Sequence, residues 1–235
     1  MCGTCRHLRI AAIILVGIFS SNVAFPAPRP DTREHVALPL PNKDGAVPLE
    51  RTLRLRRSVR AFDDRALTLQ ELSQLLWAAQ GVTAPSGYRT TPSAGALYPL
   101  SLYVVVGNVA SLASGIYTYE PPQHRLQRVR GGDARRDLSV AALGQDWIQH
   151  APVSLVIAAT YYRTATKYGD RGRKYVHMEA GHAAQNIYLQ ATALDLGTTV
   201  VGAFRDERLK SVLGMQEAEY PLCILPVGRP SDRSR

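Results

Sequence analysis

Cysteine is scarce in this chain: Cys2 and Cys5 stand at the start and only Cys223 lies beyond them. That excludes a disulfide framework, a cysteine-based zinc site and a Cys-x-x-Cys redox pair from the rest of the sequence. Cys223 itself sits in the apolar run 221–227 and reads as a small buried residue rather than a reactive thiol. Acidic residues are missing from the first thirty positions. The apolar run there, 10–19, is broken by Gly17 and falls short of the roughly 20 residues that a membrane span needs. No internal repeat is present, so solenoids and propellers are excluded. With 46% hydrophobic and 20% charged residues in 235, the chain is neither disordered nor collagen-like, and one core accommodates it.

What is present begins with a basic head (Arg6, His7, Arg9), the short apolar run, and then small residues up to Ala24. This order is that of a secretory signal or, if uncleaved, an N-terminal anchor over residues 1–24. The expectation is export to the periplasm or attachment to a membrane; a mis-assigned start codon would leave the domain cytoplasmic. Residues 25–48 carry six prolines and read as a linker or extended arm. A domain is expected over 49–230, followed by a tail, 231–235. The net charge of +9 and pI near 9.7 ask for an anionic partner: nucleic acid, a membrane surface or a phosphorylated ligand.

Within the domain, Thr68 and Glu71 form a capping box ahead of Leu69, Leu72, Leu75, Leu76 and Ala79, with Gly81 as the stop, which predicts a helix. Residues 83–99 read as loop and 102–106 as a buried strand. Residues 116–119 and 125–129 read as a hairpin through Pro121 and Pro122. Helix is expected over 133–143, strand over 153–160, and a mobile polar surface segment over 164–174. The longest helical pattern, 176–196, is apolar or small on several faces, which marks a core or interface helix. A short strand at 199–201, a helix at 207–213 and a strand at 222–227 complete an interleaved α+β pattern.

Four constellations could carry chemistry. Arg56, Arg57, Ser58 and Arg60 place three guanidiniums and a hydroxyl within five residues; such forks match phosphate oxygens, and a solvated basic turn is the plain alternative. Ser93, Ala94, Gly95 and Ala96, before the buried strand, allow backbone to approach a flat ligand. Gly202 and Ala203 follow a short strand, and Arg229 follows the last one. His177 and His182, five residues apart, lie about 140° apart on a helix, unlike the four-residue spacing of helical zinc ligands, so no metal is expected.

Taken together, these motifs resemble the nitroreductase superfamily of FMN-dependent oxidoreductases. The residues that carry the likeness are Arg56-Arg57-Ser58-x-Arg60-x-Phe62, Leu76-Trp77-Ala78-Ala79-Gln80-Gly81, Pro92 to Pro99, and Pro226-Val227-Gly228-Arg229-Pro230. Lys167-Tyr168-Gly169, His177-Met178-Glu179-Ala180-Gly181-His182 and Gln185-Asn186 are similar to its SagB-type branch, kin to enzymes that oxidise azoline rings. The resemblance implies an α+β sandwich with a central, mostly antiparallel sheet, a homodimer, and FMN in clefts at the dimer interface. It implies that Arg56, Arg57, Ser58, Arg60 and Arg229 hold the phosphate end. Ser93 to Ala96 would reach the flavin from the partner subunit, and Gly202 and Ala203 would lie against the ring edge. Lys167 and Tyr168 match a pair used for proton removal. The implied activity is ping-pong hydride transfer through the flavin on a small organic or peptide-derived substrate, with no nucleic acid as partner. An NAD(P)H-dependent nitro or quinone reductase and a non-catalytic flavin-binding module stay open. If the leader is real, the enzyme works where NAD(P)H is scarce, and the flavin would then be reduced directly by an organic substrate.

Overall fold

A computed structural model describes residues 34–231 of the chain. The expected leader, 1–24, and most of the expected tail lie outside the described residues.

Seven antiparallel strands form one sheet in the order β1-β4-β3-β2-β5-β7-β6: β1 His35–Ala37, β2 Leu100–Val106, β3 Gly115–Glu120, β4 Arg125–Gly131, β5 Val153–Ala159, β6 Gly197–Thr198 and β7 Tyr220–Gly228. The central strand β5 is buried along its whole length because helices cover both faces, so its run Val-Ser-Leu-Val-Ile-Ala-Ala is nearly continuously apolar. Alternate residues feed two cores. Leu102, Val104, Leu155, Ile157 and Leu225 pack on one side, while Tyr103, Val105, Val156 and Ile224 pack on the other. The first side is covered by α2 (Leu69–Gln80) and α6 (Arg171–Ala193), with α1 (Leu49–Leu55) lying on α6. The second is covered by α3 (Arg135–Ala141), α4 (Trp147–His150) and α7 (Asp206–Leu213). Helix α5 (Tyr162–Tyr168) packs on α6. This is the α+β sandwich expected from the sequence.

The Thr68 capping box forms as its spacing predicts: the Thr68 hydroxyl accepts the Glu71 N–H at 3.1 Å, and Glu71 accepts the Thr68 N–H at 2.7 Å. The β3–β4 hairpin also forms, with His124 closing it in a left-handed conformation.

Three expectations need correction. Structure does not wait for Leu49: β1 pairs with β4, opposing Val36 to Leu126, so the described part of the 25–48 segment is an arm bonded to the sheet edge. Its three-residue strand carries too little periodicity to be seen in a Pro-rich sequence. Residues 164–174 lie largely at the surface, as expected, but are helical. They form α5 and the first turn of α6, with Thr164 buried, and Gly172 lets the two helices touch, since a Cβ there would lie 2.9 Å from Ala165 backbone. Helix α6 also has a solvent face, because Lys174, Met178, Gly181, His182 and Gln185 are exposed.

Candidate active site

Helix α6 organises two clusters of the expected site residues. The first gathers around Tyr188. Its hydroxyl lies 3.2 Å from Ser58 Oγ and accepts the Val200 N–H at 2.9 Å. The Arg56 guanidinium lies over the Tyr188 ring, 5.1 Å from its centroid. Ser58 is held in place because its strand-like segment bridges Thr198, and the Val59 N–H donates to the Thr198 carbonyl at 2.9 Å. Arg60 lies over the indole of Trp147, and Gln145, just before α4, donates to the Ala203 carbonyl at 3.1 Å. Arg56, Ser58, Arg60, Gly202 and Ala203 therefore share one neighbourhood at the β6 edge.

Among the described residues no carboxylate lies within ion-pair distance of Arg56, Arg57 or Arg60. Cations without an acidic neighbour leave their guanidinium forks available to an oxyanion. Arg57 behaves differently from its neighbours: it turns back and donates to the carbonyls of Arg54 and Arg56 at the end of α1. Arg229 is engaged as well, donating to Glu71 Oε1 at 2.6 Å at the start of α2. Gly202 faces open space, with nothing within 4 Å of where a Cβ would sit.

The second cluster surrounds the turn 93–98. Gly95, Ala96 and Tyr98 all have positive φ (64°, 53° and 45°), a costly conformation for the two that are not glycine. Ser93 Oγ accepts the Tyr98 N–H at 2.9 Å and lies beside the Glu179 carboxyl on α6. Lys167 and Tyr168, on α5, close over the turn: a Cβ at Gly95 would lie 2.9 Å from the Tyr168 hydroxyl and 3.1 Å from Lys167 Nζ. The predicted Lys–Tyr pair and the predicted small-residue turn are thus one unit.

Glu179 is 3% exposed, and its Oε1 has no hydrogen-bond partner. Burial pushes its carboxyl up to about 7, against the opposing pull of Ser93 and the Arg89 charge. Arg89 lies on the Tyr98 ring, 4.4 Å from the centroid.

Nine residues of α6 separate Glu179 from Tyr188, so the two clusters lie roughly 13 Å and about half a helical turn apart, on opposite faces. Sequence reasoning missed Tyr188, Trp147, Glu179 and Arg89. Tyr188 is a half-buried phenol on a core-facing helix, and its hydroxyl needs a partner; the sequence holds that signal only weakly, because Gln185, Asn186 and Gln190 are polar too. Glu179 was weighed only as a companion of His177 and His182. His177 instead meets the Tyr161 hydroxyl at 2.7 Å, and no group of metal ligands occurs among the described residues.

With this geometry in view, likeness to known proteins becomes informative. Residues 53–229 match the nitroreductase family model. A nitroreductase-like protein of Methanocaldococcus jannaschii is 50% identical over 183 residues, 78% of this chain and 91% of that protein. The crystal structure of a nitroreductase-like protein from Ralstonia eutropha superposes with a TM-score of 0.75 at 33% identity, covering 84% of this chain and 90% of that one. More distant are an FMN reductase [NAD(P)H] of Bacillus subtilis, 26% identical over 76% of this chain and 64% of its own length, and the microcin B17-processing protein McbC of Escherichia coli, 25% identical over 76% and 68%. The chain belongs to the nitroreductase family and is an oxidoreductase.

Proposed function

We propose that this protein is an FMN-dependent oxidoreductase that works as a homodimer, each active site drawing on the Tyr188 cluster of one copy and the Ser93–Lys167 cluster of the other. The observation that carries this reading is the set of guanidiniums at the β6 edge with no carboxylate partner, beside open backbone at Gly202 and an exposed apolar Val200. Those features fit a phosphate joined to a flat apolar ring. Arg56, Ser58 and Arg60 would hold the phosphate end, and Gly202 and Ala203 the ring edge. Arg57 reaches the phosphate by leaving its helix-end carbonyls. Arg229 contributes the N–H groups it does not give to Glu71, since a guanidinium carries five. The exposed face of α6 around Met178 and Gly181 offers close packing to a second copy.

Bound FMN supplies a two-electron store that takes hydride from one substrate and passes it to another. The chain's own residues position the reactants. The turn 93–98 would bring backbone close to a bound flavin, with Lys167 Nζ and the Tyr168 hydroxyl beside Gly95 to meet the substrate. With substrate seated beside Lys167 and Tyr168, Nζ would take up the proton released as the substrate is oxidised, and the Tyr168 hydroxyl would hydrogen-bond a polar atom of the substrate. The likeness to McbC, together with the Lys-Tyr and Glu-Ala-Gly-His motifs, supports a small organic or peptide-derived substrate. The likeness to an FMN reductase favours the second reading, a nicotinamide-dependent nitro or quinone reductase.

Anaerobic stopped-flow mixing separates the two. The dehydrogenase reading expects the purified protein to carry flavin absorption that NADPH bleaches only slowly. Rapid bleaching with tight nicotinamide affinity would establish the reductase reading instead. Arg60→Ala is expected to weaken FMN binding about tenfold, the loss of one charge-assisted hydrogen bond. An unchanged FMN affinity in that variant would remove the β6 edge from the cofactor site. An exported location for the mature enzyme fits the direct-oxidation reading, because nicotinamide donors are confined to the cytoplasm.

A further inference from the structure

A cavity of about 280 Å³ opens between the end of α2, the ends of β2 and β3, and α5. It exists because β2 and β3 part company. Their ladder stops at Tyr103 opposite Thr118, leaving Leu100–Leu102 paired only with β5 while Pro121 and Pro122 carry the hairpin away. The end of α2, Arg89 and Arg163 of α5 close the remaining sides.

Its polar lining is unbalanced toward donors. Gln80 is 1% exposed; its Oε1 accepts Arg89 Nη1 at 2.9 Å, which fixes the amide orientation and leaves Nε2, a pure donor, without a partner. Arg89 and Arg163 both converge on Tyr98, one over its ring and the other donating to its carbonyl at 3.4 Å. Burial lowers the Arg89 pKa and the Arg163 charge adds to the effect, so the two cations oppose each other. Of the two carboxylates in the lining, Glu120 is engaged by Arg125 and by His35 at 3.8 Å, and Glu219 accepts the Tyr103 hydroxyl at 2.6 Å and the Gln216 N–H at 3.2 Å. Neither is turned to the two guanidiniums.

We infer that this cavity receives the carboxylate of an organic-acid substrate, held between Arg89, Arg163 and Gln80 Nε2. The inference rests on the proposed oxidoreductase function and names its substrate class. A carboxylate presents two oxygens in the geometry of a guanidinium fork and supplies the acceptor that Gln80 lacks. Arg163 and Lys167 are four residues apart on α5 and share a face of that helix, so the anchor and the amine arise from neighbouring turns. A cavity of this size takes the acidic end of a molecule, and Tyr98, which both arginines touch, joins it to the turn that Lys167 and Tyr168 cover.

The test uses the FMN-loaded dimer. Arg163 is exposed, so Arg163→Gln keeps the fold. Isothermal titration with benzoate is expected to show binding that weakens at least tenfold in Arg163→Gln. The preference for 4-nitrobenzoate over nitrobenzene, as a ratio of kcat/KM values, should fall by the same factor. Equal benzoate affinity in the two proteins, or no benzoate binding to either, overturns the inference. Displacement of benzoate by inorganic phosphate at equal concentration overturns it in favour of phosphate esters. If the purified protein binds no FMN and reduces neither nitro compound while benzoate binding still depends on Arg163, the proposed function falls and the carboxylate site stands.

Discussion

Replacing Glu179 by glutamine should change the pH dependence of stability in a direction opposite to that expected for most carboxylates. The Glu179 carboxyl is buried against Ser93 with Oε1 unpartnered, and its pKa rises from 4.5 to about 7 on folding. Between those values the native protein holds the proton and the unfolded chain has released it. Stability contributed by this group is therefore present below pH 4.5, declines as pH rises toward 7, and stays low above it. At about 1.4 kcal/mol per unit the shift, which already contains the opposing pull of Ser93 and Arg89, sets an upper bound of about 3.5 kcal/mol on the loss; relaxation of the surroundings when the buried group ionises brings the expected loss to about 2 kcal/mol. Glutamine has the shape of the protonated acid and does not titrate, so Glu179→Gln should match wild type at pH 4.5 and exceed its stability by about 2 kcal/mol at pH 8. For a chain of this length that corresponds to roughly 4–8 °C in the melting temperature. Calorimetry at both pH values with FMN in excess measures it. A variant whose difference from wild type is the same at pH 4.5 and pH 8 would show that Glu179 does not titrate with folding, and the reasoning would fail.

Two further predictions concern the Tyr188 end of the site. Gly197→Ala would place a Cβ 2.7 Å from Val59 Cβ, inside β6, and should cost about 1–3 kcal/mol by pushing Val59, and with it Ser58 and Arg60, outward. Urea unfolding and FMN titration should both register the change, and an unaltered FMN affinity would separate Val59 from the cofactor end. Tyr188→Phe removes the acceptor of the Val200 N–H and should cost about 1 kcal/mol while weakening FMN binding several-fold; flavin fluorescence on dilution reads the latter, and an unchanged value would exclude Tyr188 from positioning that edge.

How much was legible in the sequence depended on whether the signal was local. The α2 helix was readable because its capping box, apolar spacing and stop residue all fall within fourteen positions. The buried strands β2, β5 and β7 were readable because packing on both faces demands unbroken apolar runs. The β1 arm was not, since a three-residue strand owes its existence to the edge of β4 and not to its own pattern. Helix α5 was hidden by its polar composition: only Thr164 of its residues is fully buried, and contact with α6 through Gly172 holds it. The candidate site divides in the same way. Arg56, Ser58 and Arg60 announce themselves as a run, whereas Trp147 and Glu179 gain meaning from residues more than eighty positions away, and Tyr188 from Arg56 and Ser58 at about 130 as well as from the nearby Val200. The union of Gly95 with Lys167 and Tyr168 is likewise a product of folding, as about seventy residues lie between them.

Helix α6 carries one cluster on each of two opposite faces, and that arrangement restricts how the gene can vary. Between Glu179 and Tyr188 the helix is a ruler with a fixed phase. Inserting or deleting a single residue there would turn one cluster about 100° relative to the other and shift it about 1.5 Å along the axis. No adjustment of a surface loop could restore both at once. The turn 83–91 and the α6–β6 connection can absorb length changes, but this stretch of nine residues can diverge only by substitution.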